Sequence, residues 1–130
     1  MLKTEGLHYQ YEGGESELAF PDLSIQKGDE LLLLGASGTG KTTLLHLVAG
    51  MRTPTRGQVA LAGEAFSTLP TAARDRARGR HMGIVFQTTH FVRSLSVSEN
   101  LALARALAGC PPDEARIQGL LEELGLAHKL

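Results

Sequence analysis

The chain has 130 residues, of which 42% are hydrophobic and 21% are charged, and this is enough for one globular domain with a core. Thirteen basic against fourteen acidic side chains give a formal net charge of −1, which argues against nucleic acid as a partner. The single cysteine, Cys110, excludes an internal disulfide, and no apolar run approaches the roughly 18–20 residues that span a bilayer. The first residues lack the layout of a secretory signal, so we expect a cytosolic protein.

The first part of the chain favours β structure. Residues 2–11 alternate loosely, with Leu7, Tyr9 and Tyr11 on one side, and predict a strand. Residues 18–26 predict a return strand that Pro21 interrupts, as at an edge or a bulge.

Helices and strands are expected to alternate in the middle of the chain. The four leucines at 31–34 predict a buried strand that ends at a glycine-rich turn, and residues 42–49 predict a helix that stops at Gly50. A short strand follows at 57–62. Residues 70–78 predict a helix that is closed by Gly79. The apolar run at 82–86 then predicts a second buried parallel strand.

The end of the chain favours helices. Ser96 and Glu99 have the spacing of a capping box, which predicts a helix from there to about residue 108. A last helix, capped by Gly125, is predicted by apolar residues at the i, i+3, i+4, i+7 spacing of one face: Ile117, Leu120, Leu121 and Leu124.

Residues 35–42 carry the strongest chemical signal. They read G-A-S-G-T-G-K-T and match G-x-x-x-x-G-K-[ST] between a predicted strand and a predicted helix. Glycines allow the backbone to wrap closely round an anion, and successive N–H groups then point at it. The pattern predicts a site for a nucleoside triphosphate made by Gly35, Ala36, Ser37, Gly38, Thr39, Gly40, Lys41 and Thr42. A serine nucleophile of the G-x-S-x-G type at Ser37 is rejected, because the fifth position of that pattern is Thr39 instead of glycine and Lys41 follows.

Several further segments lie in register with this loop, and together the chain resembles the ATP-binding subunit of an ABC transporter. Tyr11 stands about thirty positions before Lys41. The other segments are K-G-D-E at 27–30, K-T-T-L-L at 41–45, P-T-R-G at 54–57, M-G-I-V-F-Q at 82–87 and S-V-S-E-N-L at 96–101. Residues 88–100 look most like subunits of lipoprotein-release and macrolide-export type, although Arg93 stands where a proline is expected.

The resemblance implies an α/β fold, in which a P-loop NTPase core carries an N-terminal antiparallel β subdomain and the start of a helical subdomain. The implied limits are 1–30 for the β subdomain, 31–94 for the core up to the Q-loop, and 95–130 for the helical part.

The family's signature segment, its catalytic glutamate and its switch histidine have no counterpart here. None of the four aspartates ends an apolar strand, as the Mg²⁺-holding aspartate of such ATPases does. We therefore expect an N-terminal part of a single, truncated domain that does not hydrolyse ATP alone.

The resemblance also implies roles for single residues. Tyr11 would stack on adenine, with Tyr9 as the alternative, and simple packing of a strand tyrosine on its own sheet as the rival interpretation. Thr42 would hold Mg²⁺ and Thr43 would contact the α-phosphate, against simple helix packing for Thr43. Lys41 and Gln87 are the implied catalytic residues, and Gln87 would also ligate Mg²⁺ and report the γ-phosphate to a membrane partner.

The family further implies that the partners are transmembrane permease subunits and a second ATP-binding subunit in a head-to-tail dimer. The protein would then lie in the cytoplasm on the inner face of the cell membrane. Two other hypotheses remain: a regulatory module that binds ATP without splitting it, and another P-loop enzyme such as a kinase. A GTPase is disfavoured because no N-K-x-D motif is present.

Overall fold

The computed structural model describes residues 1–129, and the chain divides into two compact units, the first Met1–His81 and the second beginning at Met82. The first unit contains the strands β1 (Leu2–Gln10), β2 (Glu17–Ala19), β3 (Leu23–Ile25) and β4 (Arg56–Leu61), and the helices α1 (Lys41–Val48) and α2 (Thr71–His81). A short 3₁₀ helix, Phe66–Thr68, precedes α2. The second unit contains α3 (Val97–Leu107), α4 (Glu114–Glu123) and the 3₁₀ turn Ala127–Lys129.

β1 is the centre of an antiparallel sheet. It pairs with β4 and with both pieces of the predicted return strand: β2 lies beside its second half and β3 beside its first half. The division between β2 and β3 falls at Pro21, which has no N–H to donate to a ladder. The antiparallel sheet expected at the N-terminus is therefore present, and β4 joins it from beyond residue 30.

A bulge between β1 and β4 depends on glycine. The register shifts between Glu5 and His8, and Gly57 faces this place with a φ of +81°. A Cβ at Gly57 would overlap the carbonyl oxygen of Gly6. No other residue type allows the two backbones to approach so closely.

The core of the first unit is small and apolar. Its most buried side chains come from the sheet, from α1 and from the 3₁₀ helix, and they are Leu7, Leu47, Val59 and Phe66. Gly50 ends α1 with a φ of +71°, as predicted, and a Cβ there would lie 2.6 Å from the Phe66 ring. This glycine therefore both turns the chain and leaves room for the aromatic core residue.

The prediction that Gly79 closes α2 is wrong, because the helix continues to His81. A glycine inside a helix costs only about 1 kcal/mol relative to alanine, which neighbouring contacts can offset. One such contact is made by Arg78, whose Nη1 donates to the carbonyls of Ala49 and Gly50 at 3.2 and 3.3 Å. That contact also satisfies carbonyls at the end of α1, which have no partner within the helix.

Two predicted buried strands are not strands. Residues 31–34 and 82–86 are irregular and mostly exposed, with Leu32 at 79% and Val85 at 98%. A parallel strand is held by hydrogen bonds to neighbouring strands and by cover on both faces. Within residues 1–129, neither segment pairs with another strand. Apolar sequence alone is therefore not sufficient for strand formation here.

The two helices of the second unit follow their sequence signals closely. Ser96 caps α3 in a complete capping box, with the Ser96 hydroxyl accepting from Glu99 N and the Glu99 carboxylate accepting from Ser96 N. Asp113 caps α4, and Ile117 and Leu121 of that helix are buried. Gly125 follows α4 with a φ of +69°. Among the described residues, no helix has the length and apolar character to cross a membrane.

Candidate phosphate-binding site

The glycine loop, defined here as residues 35–42, turns directly into α1. Gly38 and Gly40 have φ values of +82° and +92°, which residues with a Cβ rarely adopt. Gly40 is the N-cap of α1, and its carbonyl accepts the first helical hydrogen bond from Leu44 N at 2.9 Å. The loop therefore ends as a helix N-terminus, where backbone N–H groups are unpaired.

Short-range contacts hold the loop closed. The Thr39 hydroxyl donates to the Ala36 carbonyl at 2.8 Å. A Cβ at Gly35 would lie 2.8 Å from that hydroxyl, and one at Gly40 would lie 3.3 Å from Leu18 and Phe20. Gly35 is thus needed for packing, and Gly40 is needed for packing as well as for backbone conformation.

Lys41 adds a positive charge to this end of the helix. It is the first residue of α1, and its ammonium group donates to the Gly35 carbonyl, so it lies across the loop. The N-terminal end of a helix carries a partial positive charge and free N–H donors. Together these groups form a site for an anion such as a phosphate chain.

The two threonines after the lysine differ in exposure. Thr42 is exposed, whereas Thr43 is buried at 5% exposure. The Thr43 hydroxyl forms a hydrogen bond with the Tyr11 hydroxyl. Tyr11 lies one residue beyond the end of β1, so this bond connects the sheet to the first turn of α1.

Tyr11 also has an aromatic neighbour. Its ring meets the Tyr9 ring edge to face, with centroids 4.9 Å apart and planes at 88°. Such pairs are favourable beyond the area they bury. Tyr11 nevertheless stays 43% exposed, which leaves surface for a planar ligand.

Gln87 lies in the second unit, whereas the glycine loop, Thr43 and Tyr11 lie in the first unit. It is exposed in an irregular segment. Beside it, the rings of Phe86 and His90 are 4.6 Å apart, and His90 Nδ1 hydrogen-bonds the Thr88 carbonyl at 2.8 Å. The predicted end of a buried strand at this position is therefore replaced by an open, surface-exposed turn.

Sequence reasoning missed Arg52. Its guanidinium lies over both tyrosine rings, 5.5 Å from the Tyr9 centroid and 5.3 Å from the Tyr11 centroid. The only sequence signal was a basic residue just after Gly50, the glycine that ends α1. Nothing in that signal indicates aromatic neighbours more than forty positions earlier in the chain.

One ion pair lies on the sheet near these tyrosines. Arg56 donates to both oxygens of Glu17, at 2.6 and 3.2 Å. These hydrogen bonds hold the pKa of the Glu17 carboxyl below its ordinary value and raise the pKa of Arg56. Both groups are at the surface, where such pairs add little stability.

Comparison with known proteins connects this geometry to a family. The family model described as "ABC transporter" matches residues 19–130. The match includes the glycine loop and the whole second unit. It begins at Ala19, the last residue of β2.

Curated relatives agree with the family model. The lipoprotein-releasing system ATP-binding protein LolD of Alcanivorax borkumensis is 37% identical over 135 residues, covering all of this chain and 59% of the relative. A LolD of Xanthomonas oryzae pv. oryzae is 40% identical over 137 residues, covering all of this chain and 55% of the relative. The chain thus spans somewhat more than half the length of these relatives.

Solved structures agree as well. A dimeric ATP-binding cassette in a post-hydrolysis state, bound to ADP and Pi, is 27% identical with a TM-score of 0.82. The likeness covers 98% of this chain and 57% of the other. An ATP-binding subunit of an ABC transporter, at 23% identity and a TM-score of 0.81, shows the same fold. The predicted fold class and the predicted family are both confirmed.

Proposed function

The chain belongs to the ABC transporter family, and from this premise we propose that it is the nucleotide-binding part of an ATP-binding subunit that drives a membrane transporter. The observation that carries the proposal is the hydrogen bond between Tyr11 and Thr43. It places an exposed aromatic ring next to the helix start that follows the glycine loop. A ring and an anion site side by side match the two ends of ATP, its base and its phosphates.

Each part of the site has its own role in this proposal. The main-chain N–H groups of residues 35–43 bind the phosphate oxygens, and Lys41 moves from the Gly35 carbonyl to the β- and γ-phosphates. Thr43 contacts the α-phosphate, which lies nearest the sugar and base. Tyr11 then offers its ring to adenine, and Tyr9 supports Tyr11 from the side.

Magnesium fits the side chains that would hold it. Mg²⁺ prefers oxygen ligands, and when bound beside the phosphates it neutralises their charge. Thr42 is exposed in the first turn of α1, and its hydroxyl makes no hydrogen bond within residues 1–129. Gln87 is exposed too and supplies an amide oxygen. In the proposal, Thr42 is the magnesium ligand of the glycine loop, and Gln87 is the further ligand that the family resemblance implies.

A second candidate function, ATP binding without hydrolysis, is favoured by the state of the aspartates. Every one of them is already used in local structure. Asp22 accepts from Gly6 N, Asp29 from Gln26 N and Asp113 from Arg116 N, and Asp75 pairs with Arg78. All four aspartates thus contribute to local structure, and we expect residues 1–130 by themselves to bind ATP with little turnover.

Partners and location follow from the family and belong to the proposal. The LolD relatives are named as parts of lipoprotein-releasing systems, and the solved cassette is described as dimeric. We infer that this chain acts with transmembrane permease subunits and with a second ATP-binding subunit arranged head to tail. It would then work in the cytoplasm at the inner face of the membrane, with the segment around Gln87 facing the permease.

Calorimetric titration with ATP and magnesium tests the proposal. Lys41→Ala should weaken binding roughly 10- to 150-fold, because it removes charge-assisted hydrogen bonds to the phosphates. Tyr11→Ala should weaken it roughly 5- to 150-fold through loss of base stacking. Lys27→Ala is the matched control, since Lys27 is an exposed lysine in a turn outside the glycine loop.

The same titration, together with an assay of phosphate release, separates the competing functions. Absence of binding to folded protein at millimolar ATP contradicts both candidate functions. Equal affinity for ATP and GTP, with no effect of Tyr11→Ala, contradicts the adenine site. Phosphate release at a rate typical of an ATPase contradicts binding without turnover and supports a complete catalytic site.

A further inference from the structure

Arg52 makes an unusual set of contacts for a residue outside any recognised motif. Its Nη1 donates to the Tyr9 hydroxyl at 2.8 Å. Its guanidinium carbon also lies over both tyrosine rings, at 5.5 Å and 5.3 Å from their centroids. A guanidinium within about 6 Å of a ring centroid is attracted to the negative face of that ring. One side chain therefore holds two rings.

The backbone of Arg52 is fixed at both sides. Arg52 N donates to the His46 carbonyl at 3.2 Å, so the chain still caps the C-terminal end of α1. Shortly after, Thr55 N donates to the His8 carbonyl at 2.9 Å and the Thr55 hydroxyl accepts from Gln10 N at 3.0 Å. The C-terminal end of a helix also favours a cation electrostatically. Arg52 is thus held between α1 and β1, next to the tyrosines.

Tyr11 is consequently oriented from three directions. Its hydroxyl is bonded to Thr43, its ring is met by the Tyr9 ring, and the guanidinium covers one ring face. An exposed tyrosine without such contacts would lose rotamer freedom when a base stacks on it, and affinity would fall accordingly. With these three contacts, the exposed part of the Tyr11 ring is already oriented before a base binds.

We propose that Arg52 is a positioning residue for the nucleobase: it fixes the Tyr9–Tyr11 pair so that Tyr11 is preorganised to stack on a purine ring. The proposal rests on the proposed function of the glycine loop as the phosphate site. It assigns Arg52 no contact with phosphate and no part in hydrolysis. Arg52 sets the part of the affinity that depends on the base.

Two ligands separate this role from a general structural one. ATP uses both the base site and the phosphate site, whereas inorganic tripolyphosphate uses the glycine loop alone. Arg52→Ala should weaken ATP binding roughly 3- to 30-fold, the range expected for a partly desolvated cation–π contact. Its affinity for tripolyphosphate should stay within about two-fold of the original, because the glycine loop is untouched.

Further variants sharpen the assignment. Arg52→Lys keeps the positive charge over the rings and should recover part of the lost ATP affinity. Tyr9→Phe removes only the hydroxyl that Arg52 binds and should give a smaller loss than Arg52→Ala. In a Tyr11→Ala background, Arg52→Ala should cause no further loss, since the ring it positions is gone. Arg56→Ala, in an ion pair with Glu17, is the matched control for loss of an exposed arginine on the sheet.

The outcomes are distinct. Unchanged ATP affinity in Arg52→Ala overturns the inference, and so does an equal loss for ATP and tripolyphosphate, which marks a purely structural role. An undiminished effect of Arg52→Ala in the Tyr11→Ala background overturns it too. If the unmodified protein binds neither ligand, the proposed function fails first and this inference fails with it.

Discussion

Strand-like sequence has two different outcomes in this chain. β1 is a paired strand, whereas the apolar segments at 31–34 and 82–86 are irregular. β1 has β4 on one edge and β2 and β3 on the other, and its residue Leu7 is fully buried. The two apolar segments have no strand partner within residues 1–129, and most of their side chains are exposed. Hydrogen-bonded neighbours, rather than apolar content, decide which sequence becomes a strand.

The comparison also explains why the glycine loop keeps its shape after an irregular segment. Its conformation depends on contacts inside the loop and with α1: Thr39 with Ala36, Lys41 with Gly35, and Gly40 as the helix cap. All of these join residues at most six positions apart. A site built from local contacts can form before the sheet that carries it is complete, whereas a parallel strand cannot.

Amide hydrogen exchange, followed by NMR, should show the largest difference between the two regions. Val59 N of β4 donates to the buried Ser67 hydroxyl at 2.9 Å, while Leu32 and Val85 donate to no backbone carbonyl among residues 1–129. After correction for intrinsic rates, Val59 should exchange slower by on the order of 10³-fold or more. Similar protection at Leu32 would mean that residues 31–34 are paired in solution.

The same substitution in both regions gives the next largest effect. Leu7→Ala leaves a cavity in the core and should lower the free energy of unfolding by about 2–5 kcal/mol. Leu32→Ala removes an exposed side chain and should change it by less than about 0.5 kcal/mol. Urea unfolding measures both, and because both residues lie in the unit Met1–His81 they report on one transition. A cost at Leu32 as large as at Leu7 would contradict the exposed position of residues 31–34.

These differences mark what the sequence was able to predict. The glycine loop, the capping box at Ser96 and the helix end at Gly50 were predicted because each depends on residues within a few positions of one another. The strands at 31–34 and 82–86 were predicted wrongly, because pairing depends on distant parts of a chain. The family resemblance pointed to Tyr11, but its bond to Thr43 and the contacts of Arg52 exist only in three dimensions. Gln87 as a magnesium ligand stays a prediction.

The smallest expected effect is fraying of the start of α3 at low pH. This helix start is determined by contacts between residues that are close together in the chain. Hydrogen bonds from the Ser96 backbone and hydroxyl hold the pKa of the Glu99 carboxyl below its ordinary value. Its stabilising contribution is therefore complete above the unfolded-state pKa of about 4.3 and is lost as the pH falls through the lower folded-state pKa. The effect is small because Glu99 is exposed at the surface. NMR Cα shifts of residues 97–100, followed from pH 7 to pH 3, should show the first turn of α3 fraying at the acid end.

The control variant Glu99→Gln keeps a hydrogen-bond acceptor but does not titrate, and it should flatten this curve. An identical curve in Glu99→Gln would assign the fraying to another group and would leave the capping box without a pH-dependent role.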